Sequence, residues 1–187
     1  MPITMHTRSG FFLKATMTWG AYLGFAMVAF HFLTYLFKTS PDSTIHLLSY
    51  VITIGFIVYG QKYWRAQLGG FISYGEALKV GIVISLFAGI IYGFYQYILT
   101  GLIDPELIER QLRNTEEVYL QLGYSEEEVE TMMALSARMN TPIGISFSVA
   151  FGYTIGGLIF SLITSIFTRR IDDSFDAQTK TISDDYA

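Results

Sequence analysis

The chain has no cysteine, which excludes both a disulfide framework and a thiolate metal site. Its three histidines are scattered along 187 residues. No His-Glu-x-x-His pair, phosphate-binding glycine loop or Gly-x-Ser-x-Gly elbow occurs. No metal, cofactor or catalytic residue is therefore expected. Charge is scarce as well: only 15% of residues are charged, and sixteen acids outnumber twelve bases for a net −4. That balance does not suit nucleic acid, whose phosphates repel carboxylates.

What remains is apolar. The hydrophobic fraction is 51%, the aromatic fraction 16% and the mean hydropathy +0.39. Four stretches dominate, at about Ala15–Phe37, Ile45–Tyr63, Val80–Ile103 and Ile143–Thr168. A helix rises about 1.5 Å per residue, so roughly 20 residues cross the ~30 Å hydrocarbon layer. Backbone amides in lipid must be satisfied within the segment, so each stretch is expected to be a helix. The second is the shortest, interrupted by Gln61 and Lys62, with Tyr63 and Trp64 expected at the headgroups. The first is too long for a signal-peptide core and reads as a retained span. The expected architecture is an all-α integral membrane protein: a four-helix transmembrane bundle over residues 1–170, with an extramembrane helical hairpin between spans three and four. Residues 171–187, which hold five aspartates and one lysine, are expected to be a disordered acidic tail.

Basic residues near the helix ends set the orientation. With four crossings, Arg8, Lys14, Lys62, Arg65, Lys79, Arg169, Arg170 and Lys180 share one side. Lys38, Arg110, Arg113 and Arg138 lie on the other. Eight against four places both termini in the cytoplasm.

The long interruption, 104–140, carries nine acids and three arginines, hence −6. It reads as two helices. Pro105 and the acids after Asp104 suit a helix start, Gly123 an end, and Ser125-Glu-Glu-Glu128 a capping box. Leu107, Ile108, Leu112, Val118, Tyr119 and Leu122 form an apolar stripe on the first, and Val129, Met132, Met133, Ser136 and Met139 mark one face of the second. Such stripes mark burial against each other or the membrane first, and a docking face for a partner second.

Small residues recur at every fourth position in two spans. The third has Ala77, Gly81, Ser85, Gly89 and Gly93; the fourth has Gly144, Ser148, Gly152 and Gly156; the first has Gly20 and Gly24. Small faces let helices approach closely in lipid. Spans three and four are expected to pack face to face, although a homo-oligomer or another membrane protein could use one stripe instead. Aligning Leu13 with Leu78 superposes Lys14 on Lys79 and Gly24 on Gly89, as a duplicated hairpin would, but apolar helices reach such matches by chance.

Polar groups at membrane depth are the remaining candidates. Glu76 and Lys79 stand one turn apart at the start of span three, suited to a local ion pair or, less simply, a proton relay. His31, His46 and Gln96 share one level near the outer ends of their spans. They could line a polar cavity or simply bond to Tyr35, Tyr50, Tyr92 or Tyr95.

The run Gly69-Gly-Phe-Ile-Ser-Tyr-Gly-Glu-Ala-Leu-Lys-Val-Gly81 opens span three with a glycine turn and a Ser73–Glu76 capping box. Together with Asp104-Pro105, Gly123-Tyr-Ser-Glu-Glu-Glu128, Thr141-Pro142 and Arg169-Arg170, it resembles the family called domain of unknown function 4199. The resemblance spans about Lys14 to Arg170. It implies a small four-span protein of a bacterial inner membrane and supplies no catalytic or binding residues. The lipid bilayer is then the certain partner. The order of expected functions is a non-enzymatic scaffold or accessory subunit, then a small transporter or channel, then a membrane-embedded enzyme.

Overall fold

The structure is a computed structural model that describes residues 5–39 and 44–170. The acidic segment 171–187, expected to be disordered, lies outside the described residues. The elements in order are α1 (Met5–Leu36), a 3-10 turn (Thr44–His46), α2 (Leu47–Gln67) and α3 (Tyr74–Ile98). A π turn (Leu99–Ile103), α4 (Glu106–Gln121), α5 (Glu126–Met139) and α6 (Pro142–Thr168) complete them. Four segments are long and apolar enough to cross a membrane: Gly10–Leu36, Thr44–Gln67, Tyr74–Ile103 and Pro142–Thr168. The fold is an all-α multi-pass membrane bundle.

Local chemistry accounts for most boundaries. Gly69 and Gly70 take positive φ (+81° and +98°) in the turn after α2. Ser73 then caps α3, its hydroxyl accepting from the Glu76 amide while the Glu76 carboxylate accepts from the Ser73 amide. Ser125 and Glu128 repeat this box on α5. Thr141 caps α6, with Pro142 in the first turn. The π turn, closed by Asp104 N–H to Leu99 O at 2.7 Å, has no sequence signature.

The second span is longer than its sequence suggests. Gln61 does not interrupt α2 but is wholly buried at 0% exposure, on the same face as Thr53, Ile57, Gly60 and Trp64. Trp64, expected at the headgroups, is likewise buried against Phe11 and Phe12 of α1.

Helix α3 occupies the centre, packed most extensively on α6, then on α1, with α2 touching all three. Its stripe of Ala77, Gly81, Ser85, Gly89 and Gly93 is buried. A Cβ at Gly89 would fall 2.8 Å from the Ala150 carbonyl oxygen, and one at Gly93 2.7 Å from that of Ser146. On the opposite side of the bundle, a Cβ at Gly20 of α1 would stand 2.7 Å from Phe87 Cβ. These approaches bring backbones into dispersion contact, which is what holds helices together in lipid.

The matching stripe on α6 does not meet α3. Ser148 and Gly152 are exposed, and a Cβ at Gly152 or Gly156 would meet nothing within 4 Å. Gly144 serves the turn that starts α6, because a Cβ there would run into the Met139 carbonyl. The face turned to the bundle is Ser146, Ala150, Tyr153, Gly157, Ser161 and Ser165. The physical reason is polarity: this face carries most of the helix's hydroxyls, and polar groups in a span are drawn to the bundle interior. Where it crosses α3, Gly81 stands against Ser161 and Gly157 against Ser85, so each serine fills the notch left by the opposite glycine.

Helices α4 and α5 pair with each other. Val129 is the one residue buried in them, and Tyr119 meets Tyr124 edge to face at 5.7 Å. Val118, Leu122, Leu135 and Met139 stay exposed, Leu122 by 69%.

Candidate functional site

Three polar clusters stand at different depths. The first joins α2, α3 and α6 at the end of the bundle away from the hairpin. Gln61 Nε2 donates to the Ala77 carbonyl and to Ser165 Oγ, each at 3.1 Å, and Thr168 Oγ1 donates to Gln61 Oε1 at 3.0 Å. Arg65 adds a bond to the Thr168 carbonyl at 3.1 Å. Below it, Ile72 and Arg170 exchange two backbone bonds, at 2.9 and 3.0 Å. Both amide protons of Gln61 and its carbonyl are thus engaged, so the group is a clamp between helices. Spacing was the signal for it: Gln61 falls four residues after Ile57 and three before Trp64, on one helical face.

The second cluster lies at the hairpin end of the spans. His31 Nδ1 is 3.3 Å from Tyr95 Oη, and the His31 ring meets Tyr92 and Tyr95 edge-on. Gln96 Nε2 donates to Tyr92 Oη at 3.2 Å. Tyr92 contacts Tyr153, whose hydroxyl is 2.6 Å from Thr53 Oγ1. Tyr92 therefore links His31 to Gln96. The His46 ring stands edge-on to Phe30. Of the tyrosine bonds expected as the alternative to a polar cavity, those of His31 with Tyr95 and of Gln96 with Tyr92 are present.

The third cluster was not legible. Tyr35 Oη donates to Asp104 Oδ2 at 3.0 Å, and Arg110 pairs with the same carboxylate. Arg110 also reaches Glu106 at 3.5 Å. The Arg110 bond, helped by Tyr35 and the Leu107 amide, holds the Asp104 carboxyl below the ordinary carboxylate range. The same pairing raises Arg110. A cavity of about 800 Å³ opens beside this group, between α1 and α4.

Glu76 turns its carboxylate back to Ser73 in the capping box rather than up the helix to Lys79, which is exposed. Among the described residues no group of three or more histidines and carboxylates is placed to hold a metal ion. Two buried hydroxyls, Ser85 Oγ and Ser161 Oγ, have no hydrogen-bond partner among the described residues.

No curated protein and no solved structure matches the chain. The family described as "Protein of unknown function (DUF4199)" matches residues 18–170. That match takes in the first span from residue 18 onward, the other three spans whole and the hairpin, and the chain belongs to this family.

Proposed function

We propose that the chain is a non-enzymatic scaffold or accessory subunit of a membrane complex. On this reading it sits in a bacterial inner membrane with both termini in the cytoplasm and the α4–α5 hairpin outside. The hairpin carries the argument. Its helices pair with each other yet leave Val118, Leu122, Leu135 and Met139 exposed, a surface suited to a protein partner. The outward Ser148–Gly152–Gly156 face of α6 supports the same reading, since it offers a second helix close approach within the membrane. Photo-crosslinkers at Leu122 and Leu135, used in native membranes, test it. Discrete adducts with another protein are expected at both positions. Adducts with lipid alone would overturn the reading.

A small transporter is the second reading, favoured by the polar chain from His31 through Tyr92 to Tyr153 and Thr53. Proteoliposomes test it through a solute or proton flux that His31→Phe abolishes. Flux equal to that of empty vesicles removes it.

A further inference from the structure

At the hairpin end of α1, the wall of the 800 Å³ cavity includes Thr34, Tyr35, Leu36, Lys38, Asp104 and Arg110. The helix closes here in a Schellman turn, with Thr39 N–H bonded to Thr34 O at 3.0 Å and Lys38 N–H to Tyr35 O at 3.1 Å. Glycine is the usual occupant of the left-handed position in that turn, because it has no Cβ to clash. This chain has Lys38 there, at φ +48°, the one non-glycine residue with positive φ among those described. Glycine would meet the turn's backbone requirement without the Cβ strain, whereas lysine in return gains only the modest attraction of a cation for the helix C-terminus. Strain retained at such a position points to a task for the side chain.

We propose that this cavity binds the phosphate of a membrane phospholipid, held chiefly by Lys38 with Arg110 beside it. Charge supports this. Arg110 is shared by Asp104 and Glu106, whereas Lys38 has no ion-pair partner among the described residues, which leaves its ammonium open to an anion at this wall. A phosphodiester carries one negative charge to match it. Depth supports it too, because the cavity lies where the spans Gly10–Leu36 and Tyr74–Ile103 end, at headgroup level. An apolar surface adjoins it: Leu33, Leu36 and Phe37, at the same end of α1, are exposed by 51%, 55% and 78%. Acyl chains of a lipid held at Lys38 would lie along them, which favours a lipid over a free phosphate ion.

The proposal stands apart from the scaffold reading. Its test uses the full chain in detergent, with lipid retention read by native mass spectrometry. The probes are dioctanoyl phosphatidylethanolamine and dioctanoylglycerol, which share chains but differ in phosphate. The wild type is expected to retain the phospholipid in preference. Lys38→Gly and Lys38→Gln are both expected to retain it about fivefold less, the effect of one basic residue at a membrane surface. Lys38→Gly should melt no lower than the wild type, since it removes the strain, so its loss of lipid cannot be unfolding. Equal retention of dioctanoylglycerol, or unchanged retention by both variants, would overturn the proposal. Displacement by millimolar inorganic phosphate would assign the site to a free anion and overturn the lipid. A lower melting point for Lys38→Gly would overturn the argument from strain.

Discussion

Helices α3 and α6 carry small residues at the same four-residue spacing and use them in opposite ways. The α3 stripe, Ala77 to Gly93, is buried under neighbouring backbone, whereas Ser148, Gly152 and Gly156 of α6 face away from the bundle. The difference lies in position. Helix α3 is central and has helices on two sides; α6 is peripheral and must choose one face. It turns inward the face with Tyr153, Ser161, Thr164, Ser165 and Thr168, whose hydroxyls gain partners there or are at least kept from hydrocarbon. A small-residue stripe marks a face able to approach another helix closely, without saying which helix.

The most forceful way to break the comparison is to place the same side chain on both stripes. Gly89→Leu drives bulk into the Ala150 carbonyl and should destabilise the bundle by roughly 3 kcal/mol or more in detergent unfolding. Gly152→Leu should leave unfolding within about 0.5 kcal/mol of the wild type. If the outward stripe receives a partner helix, Gly152→Leu should instead weaken crosslinking in membranes. Equal destabilisation by the two would dissolve the distinction.

The clamp beside α6 comes next. Gln61→Leu strips α3 and α6 of a shared partner and should cost about 1–2 kcal/mol, the range for interhelical hydrogen bonds in membranes. Gln96→Leu, which loses a bond within its own helix to Tyr92, should cost less than half as much. The same unfolding assay compares them.

The serines in the glycine notches sharpen the point in the other direction. Their hydroxyls are buried without partners, so Ser85→Ala and Ser161→Ala should be neutral or stabilising by up to about 1 kcal/mol. Marked destabilisation would mean that the hydroxyls are bonded in the membrane.

The smallest effect concerns pH, and it is confined to the hairpin end. Asp104 has its folded pKa depressed chiefly by Arg110, so its contribution is present above the ordinary carboxylate pKa and is lost as pH falls through the folded value. Amide exchange at Leu107 should accordingly stay slow as pH drops through the range where free carboxylates protonate, and quicken only below it. Asp104→Asn should abolish that acid step while the α3–α6 contact is unchanged.

How much could be read in advance differs between these regions for physical reasons. The four spans, the Ser73 and Ser125 capping boxes, the Pro142 start and the Gly69–Gly70 turn each depend on residues within a few positions of one another. The α3 stripe is legible in the same way, but its burial is not, since α6 carries a stripe of the same spacing that faces outward and only the central position of α3 separates the two. Gln61 was harder, because a carboxamide in an apolar run looks like an interruption until the hydroxyls of Ser165 and Thr168, about a hundred residues away, are brought beside it. Asp104 stands at a helix start in the sequence, and nothing near it in the chain indicates Tyr35, 69 residues earlier.

The sequence by itself determined that this protein lives in a bilayer as four helices with an acidic helical hairpin, because hydropathy, caps and breakers act over short range. Only the tertiary structure decided which face of α6 turns inward, what Gln61 binds, and that Lys38, Asp104 and Arg110 meet at one cavity. Those outcomes depend on the competition among whole helix faces for the same central partner, and no single segment contains that competition.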